Sequence, residues 1–507
     1  MNKEKLRIVY LPVDERFCTR DYFLLLAQAA GLEVVTPPRE MLGQKKIHAD
    51  VDGLHRWLES NVHGSELCVL SMEMLLHGGL IPSRINLCSE QTLLHRLQVL
   101  RSIRPRVKKL FLASTVTRIP KYDSDDEEPV YWEYFGKRIQ EHSLQLARQL
   151  VGSTVTAMEK SYASPPQIPE IPSWMLHDFY TRRKRNFHLV EHVLELVKEG
   201  CVDFLNLTLD DNGEGSLSVV EAGLHAQNAE QLGISGKVSI HPGADEAPLA
   251  LLSRVLCEEL GQTPLFEVSF TSPQYAHLVP PYEGSPLDQS VTQHVECSGA
   301  RVAKPGEANE QQQAIRLVVH NRLPGDWGES SDQQMNSLMP GMYDVFDALA
   351  EGQVTGIADL RFPNGSDDRV IDRLLAKRRD WTRVNVSGWN TPGNSLGTVV
   401  SHSIVQWLGV QKLLPVQREK MEQFAATLIL EHWGYQAHVR QRLRKEAPAH
   451  GCTLWTLLPD EQWALCFVRT QMQHYLQKIE QAFQSQWEAE YFFPWHRSFE
   501  LGIVLHE

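Results

Sequence analysis

Asp210 and Asp211 are adjacent carboxylates set directly after the apolar run Val202–Leu209. Side chains alternate in direction along extended chain, so one acid can face a ligand while its neighbour meets a helix or loop. Close carboxylates also push their pKa values apart, leaving one protonated acid and one ionised base. Glycoside hydrolysis uses such a division of roles. The structural alternative is a DDNG turn whose acids are solvated or cap the next helix. Asp245 and Glu246 follow the run Lys237–Ile240 in the same way, and an N-cap on the helix Glu246–Leu260 is the competing role for Asp245. Asp210, Asp211, Asp245 and Glu246 are therefore the candidate catalytic residues.

Further polar clusters follow other apolar runs, and they supply the candidate substrate-binding residues. Asp14, with Arg16 two residues on, follows Arg7–Leu11; Glu73, His77 and Arg84 follow Leu67–Ser71; Arg118 follows Lys109–Ser114. Asn364 follows Val354–Leu360, and Trp389, Asn390 and Asn394 follow Arg383–Val386. Arg16, Arg84 and Arg118 suit an anionic or hydroxyl group. Trp389 offers a face for a sugar ring, with the Asn390 amide beside it, although a core Trp beside an Asn turn reads equally well. His77 and His241, with Glu73, Asp210 and Asp245, include metal-ligand types, but no HxH or HExxH spacing joins them, so no metal is assigned. GxGxxG, GKS/T and GxSxG are absent as well, and no cofactor is expected.

The elements that must position these residues are short apolar strands alternating with amphipathic helices, the pattern of a parallel sheet buried on both faces. Loops at the C-terminal ends of such strands build ligand sites. The expected fold is α/β, with a (β/α) barrel-like or doubly wound parallel-sheet core in two lobes and a C-terminal helical region. Residues 1–261 would form a barrel-like domain, 262–411 a second lobe completing the crevice, and 412–507 a mainly helical cap with room for homo-oligomer contacts. Tyr122–Pro129 (YDSDDEEP) reads as a solvated acidic loop, and Arg182–Arg185 (RRKR) as a solvated helix face or a substrate-contact segment.

Composition excludes several classes. A formal net charge of −13 repels phosphate backbones, so nucleic acid is not an expected partner. No apolar run is long enough to cross a bilayer, and the N-terminus lacks a signal-like apolar stretch. Eight scattered cysteines without a CxxC pair fit free thiols in a reducing compartment, and a cytoplasmic location is expected.

Taken together and in order, LPVDER, SMEMLLHGGLIPSR, LDDNGEG, HPGADE, FPNGSDD and GWNTPGNSLG resemble the landmarks of the bacterial family DUF4127, over about Leu6 to Leu408. The resemblance implies that Asp14, Arg16, Glu73, Arg84, Arg118, Asp210, Asp211, Asp245, Glu246, Asn364, Trp389, Asn390 and Asn394 occupy family-defining positions; it implies no activity. The family commonly carries Asp-Arg-Pro where this chain has Glu15-Arg16-Phe17, an Asp at Glu73 and a Tyr at His77.

The residues point first to a hydrolase acting on a glycoside or related polar, hydroxyl-rich small molecule through carboxylate acid/base chemistry. A metal-dependent hydrolase or lyase using His77, His241 and the acids is one alternative. A non-catalytic sugar-binding or regulatory protein is the other.

Overall fold

In the computed structural model, residues 6–63, 66–210, 212–304, 307, 314–377 and 379–506 are described. Two all-parallel sheets form the core. The first contains β1 (Arg7–Leu11), β2 (Glu33–Val35), β3 (Glu66–Ser71), β4 (Val107–Val116), β5 (Phe204–Leu209) and β6 (Val238–Pro242), in the order β2-β1-β3-β4-β5-β6. The second contains β7 (Leu265–Phe270), β8 (Arg301–Val302), β9 (Ile315–His320), β10 (Thr355–Asp359) and β11 (Val384–Ser387), in the order β11-β10-β9-β7-β8. An antiparallel pair, β12 (Glu488–Phe492) and β13 (Gly502–His506), lies in the C-terminal region.

Numbered within its own sheet, each core repeats the order 2-1-3-4-5 of open doubly wound sheets, and the first adds a sixth strand. Both sheets are open, with β2 and β6 at the edges of the first, so the barrel form expected for residues 1–261 is not adopted. The late strands pair among themselves. Periodicity alone could not separate the two outcomes, because strands buried on both faces read as continuous apolar runs either way. All six residues of β5, for example, are buried.

The sheets share one hydrophobic core. Helix Ala247–Glu259 packs on β3, β4 and β5, helix Pro392–Val410 packs on β9, β10 and β11, and the two helices pack on each other. Leu251, Val255, Val399 and Ile404 are fully buried within this shared layer. The outer face of the first sheet has its own core, including Leu70, Leu112 and Val193. That of the second packs on the C-terminal region through residues such as Ile357, Leu430 and Ile503. Helices Trp132–Leu150, Val155–Ala163 and Ser173–Lys198 are inserted between β4 and β5.

The C-terminal region runs helically from Arg418 to Glu446, with a π-helical stretch over Leu430–Val439, then through helix Glu461–Phe483 to the β12–β13 pair. Two loop and surface expectations are corrected. The Arg182–Arg185 segment lies inside Ser173–Lys198, and Arg183 is buried against Glu221 with Nη2–Oε2 2.5 Å. Glu127 and Glu128, at the end of the acidic loop, are buried as well.

Candidate functional site

The loop after β1 is built around Asp14. Its Oδ1 accepts the backbone N–H of Arg16 at 3.1 Å and the Thr19 hydroxyl at 2.6 Å, an Asx-type turn. Its Oδ2 accepts from Arg16 Nε at 3.0 Å, which leaves the rest of the guanidinium to fork onto Asp245 at 3.2 and 2.6 Å. Arg16 thus clamps the loop after β1 to the loop after β6. Asp245 does not cap a helix, because this pairing takes its carboxylate. The guanidiniums of Arg16 and Arg497 each lie 4.5 Å from the centroid of the Trp495 ring.

A second hub joins the loops after β3 and β4 to the C-terminal region. Glu127 pairs with Arg118 at 2.6 Å, with Arg84 at 3.5 Å and closely with Arg497. Glu128 pairs with Arg118 at 3.0 Å and Arg84 at 3.2 Å. Arg84 also donates to Asp210 at 2.5 Å, and Arg497 forks onto Glu500 at 2.9 and 3.0 Å. Burial alone would raise the Glu127 pKa, but Arg497, Arg118 and Arg84 outweigh it and hold the carboxyl well below the usual range.

These networks surround a cavity of about 340 Å³ at the C-terminal ends of the first-sheet strands, where open α/β sheets place their ligands. Arg16, Arg84, Arg118, Asp210 and Asp245 line it from the first sheet, and Asn364, Asn390 and Asn394 from the second. Asn364 and Asn390 both take φ 57°, a left-handed conformation that Asn tolerates better than most residues, and Asn364 N–H donates to the Asn390 carbonyl at 3.1 Å. Burial pushes the Asp245 carboxyl up to about 7 against the pull of Arg16, with Asp14 adding to the rise.

Other sequence-selected residues stand away from the cavity wall. Asp14 sits behind Arg16. Glu73 accepts from Thr115 N–H at 2.8 Å, the Ser114 hydroxyl at 3.0 Å and the Ser71 hydroxyl at 3.0 Å, stitching β3 to β4. His77 meets Asn86 at 2.6 Å, and burial lowers its pKa well below the ordinary value, keeping it neutral. Trp389 is buried in the shared core, its ring parallel to that of His432, so it is not a platform facing the cavity. Asp211 lies outside the described residues.

Glu246 turns the other way and meets two histidines. His241 is the next-to-last residue of β6 and His294 lies on helix Leu287–Cys297. The Nδ1 of each faces a backbone carbonyl at 2.8 Å, Pro242 for His241 and Ser290 for His294. A carbonyl only accepts, so both Nδ1 atoms carry hydrogen. Burial keeps His241 neutral, with Nε2 as a lone pair, whereas at His294 burial is outweighed by the Glu246 carboxylate, which raises the pKa. One ring nitrogen of each histidine and a Glu246 carboxylate oxygen lie within 4.8 Å of one another. Both Nε2 atoms and Glu246 Oε1 are buried without a hydrogen bond. His294 Nε2 stands 3.5 Å from that Oε1, and Glu246 Oε2 is fixed by Ala244 N–H at 2.9 Å. Two imidazoles oriented through backbone carbonyls, with one carboxylate, form a donor set that fits a divalent transition metal. Of the residues the sequence nominated for metal binding, only His241 belongs to this set.

Sequence reasoning missed His294, Glu127, Glu128, Glu329, Arg440, Arg444, Trp455, Trp495 and Arg497. His294 carried one signal, a histidine on the apolar face of an amphipathic helix three residues after Val291. The C-terminal residues follow no core strand and offered none.

Two doubly wound sheets, a polar cavity over their C-terminal ends and a buried His–Glu–His cluster define an α/β protein with a potential catalytic or metal-binding apparatus. The chain belongs to DUF4127, a family described as protein of unknown function, which matches residues 8–504. No curated protein and no solved structure matches it. Among the described residues no helix is long and apolar enough to cross a membrane.

Proposed function

We propose that the chain is a metal-dependent hydrolase or lyase acting on a polar, hydroxyl-rich small molecule bound in the cavity, with His241, Glu246 and His294 holding the metal. The observation that carries this reading is the convergence of two buried histidine rings and a buried carboxylate whose His241 Nε2, His294 Nε2 and Glu246 Oε1 make no hydrogen bond. Such a group is costly unless a cation sits among its lone pairs. A divalent metal supplies Lewis-acid and electrostatic stabilisation when bound. His241 and Glu246 flank Gly243, Ala244 and Asp245, which form the cavity wall. Holding the metal therefore fixes that wall and the Arg16–Asp245 pair in it, while Asn364, Asn390 and Asn394 bind hydroxyl groups. Eight free thiols, six of them buried, fit a cytoplasmic enzyme.

Elemental analysis of purified protein supplied with zinc or manganese tests the reading. About one metal per chain, lost in His294→Ala, is expected. Full turnover of an identified substrate by chelator-stripped protein would overturn it.

A second reading, carboxylate-only glycoside hydrolysis, is favoured by Asp210 and Asp245 facing one cavity. Each is paired to an arginine, which weakens it. It predicts that metal-free protein is active and that Asp210→Asn and Asp245→Asn each abolish turnover.

A further inference from the structure

Most guanidiniums lining the cavity are matched. Arg16, Arg84, Arg118 and Arg497 face Asp14, Glu127, Glu128, Asp210, Asp245 and Glu500. The wall supplied by helix Arg440–Glu446 differs. Arg440 and Arg444 are four residues apart, so they share a helix face, where like charges repel. Arg440 is fully buried and bonded to a carboxylate only through Nη2, to Glu329 at 2.5 Å. Its Nε and Nη1 are buried with no acceptor. Arg444 donates from Nε to the Ser498 hydroxyl at 3.2 Å and forms no ion pair among the described residues. Burial and the neighbouring Arg440 charge lower its pKa to about 10, as for a cation short of a counter-charge. Two guanidiniums therefore share one carboxylate on the cavity wall.

We propose that Arg440 and Arg444 form a subsite for the phosphate group of a phosphomonoester substrate. The subsite rests on the reading of this cavity as the substrate cavity, and it names the class of molecule. Donor count selects the anion. Each guanidinium has five N–H donors and makes one hydrogen bond, so Arg440 and Arg444 each keep four without an acceptor. A carboxylate offers about four lone-pair sites, whereas the terminal oxygens of a phosphate offer more, and planar guanidinium forks match phosphate geometry. Phe499, whose ring centroid lies 5.5 Å from the Arg440 guanidinium carbon, limits solvent on that side and strengthens any charge interaction there. The hydroxyl-rich remainder would extend toward Asn364, Asn390 and Asp245.

Equilibrium binding to the full, chelator-treated chain tests the subsite without any metal or turnover. The probes are inorganic phosphate, glucose 6-phosphate, glucose and glucuronate at matched ionic strength. Both phosphates should bind, glucose 6-phosphate the more tightly, with glucose and glucuronate at least about tenfold weaker. Arg444 is only half-buried, so Arg444→Ala should remain folded, verified by an unchanged circular dichroism spectrum. It should weaken phosphate binding by about tenfold or more, the range for a hydrogen bond to a charged group. Glu329→Gln removes the competing carboxylate and should tighten phosphate binding several-fold, a gain that a purely structural role would not produce. Absent phosphate binding, equal binding of glucuronate, or an unchanged affinity in Arg444→Ala overturns the proposal. Failure of the metal reading would leave each of these outcomes intact.

Discussion

Glu127→Gln tests whether the hub that ties the C-terminal region to the first sheet is a set of stabilising ion pairs. The substitution keeps shape and removes one charge from a buried carboxylate shared by Arg84, Arg118 and Arg497. Breaking a buried pair costs about 3–5 kcal/mol because the remaining charge is left uncompensated. Here Arg84 and Arg118 keep Glu128, and Arg497 keeps Glu500, so the lower end, about 3 kcal/mol, applies. A chain of this length that unfolds as a unit has an unfolding entropy of about 1 kcal/mol/K, which turns that loss into about 3 °C of Tm. The pH dependence has a definite sign. The Glu127 carboxyl is held below its ordinary value, so its contribution is complete above about pH 4.5 and is lost as pH falls toward the folded value. Thermal melts from pH 7 to pH 3 should show the parent losing this increment below about pH 4.5 and the variant, already lacking it, losing less. A variant that melts with the parent at pH 7 and falls with the same acid slope would refute the reasoning.

Three further outcomes are expected. Trp389→Ala should destabilise by about 3–5 kcal/mol, as for a large core truncation, and leave Glu329 and Arg444 variant effects on phosphate binding unchanged. Gly397→Ala places a methyl carbon against Glu246 Cγ, far inside van der Waals contact, so it should cost about 1–3 kcal/mol and lower metal content together with Tm. Reductant should leave Tm unchanged, because all eight cysteines are free thiols, and a drop in Tm on adding it would point to a disulfide.

Much of the first sheet was legible because β-branched runs ended by Pro, Gly or Asp mark strand ends; β1 falls where the sequence put it, and β5 ends at Leu209 as the run Val202–Leu209 does. The two-residue edge strand β8 is too short to leave a pattern, and the β12–β13 pair is separated by a Trp- and Pro-containing loop. Within the site, Arg16, Arg84, Arg118, Asp210 and Asp245 were found because they follow strands. Which way a side chain turns was not legible. Asp245 and Glu246 are neighbours, yet one lines the cavity and the other meets His241 and His294 behind it. Glu127 and Glu128 looked solvated because charge runs usually are; only the arginines brought by distant segments bury them.

The Glu127–Arg497 contact joins residues 370 positions apart. A ribosome adding about 5–20 residues per second takes about 20–70 s to travel between them. Once β6 has been made, the first sheet can pair its strands while the cavity lacks a wall and Trp495 has yet to cover Arg16. The nascent chain therefore spends about the second half of its synthesis with an open, charged mouth and becomes a closed site only when the C-terminal segment folds back.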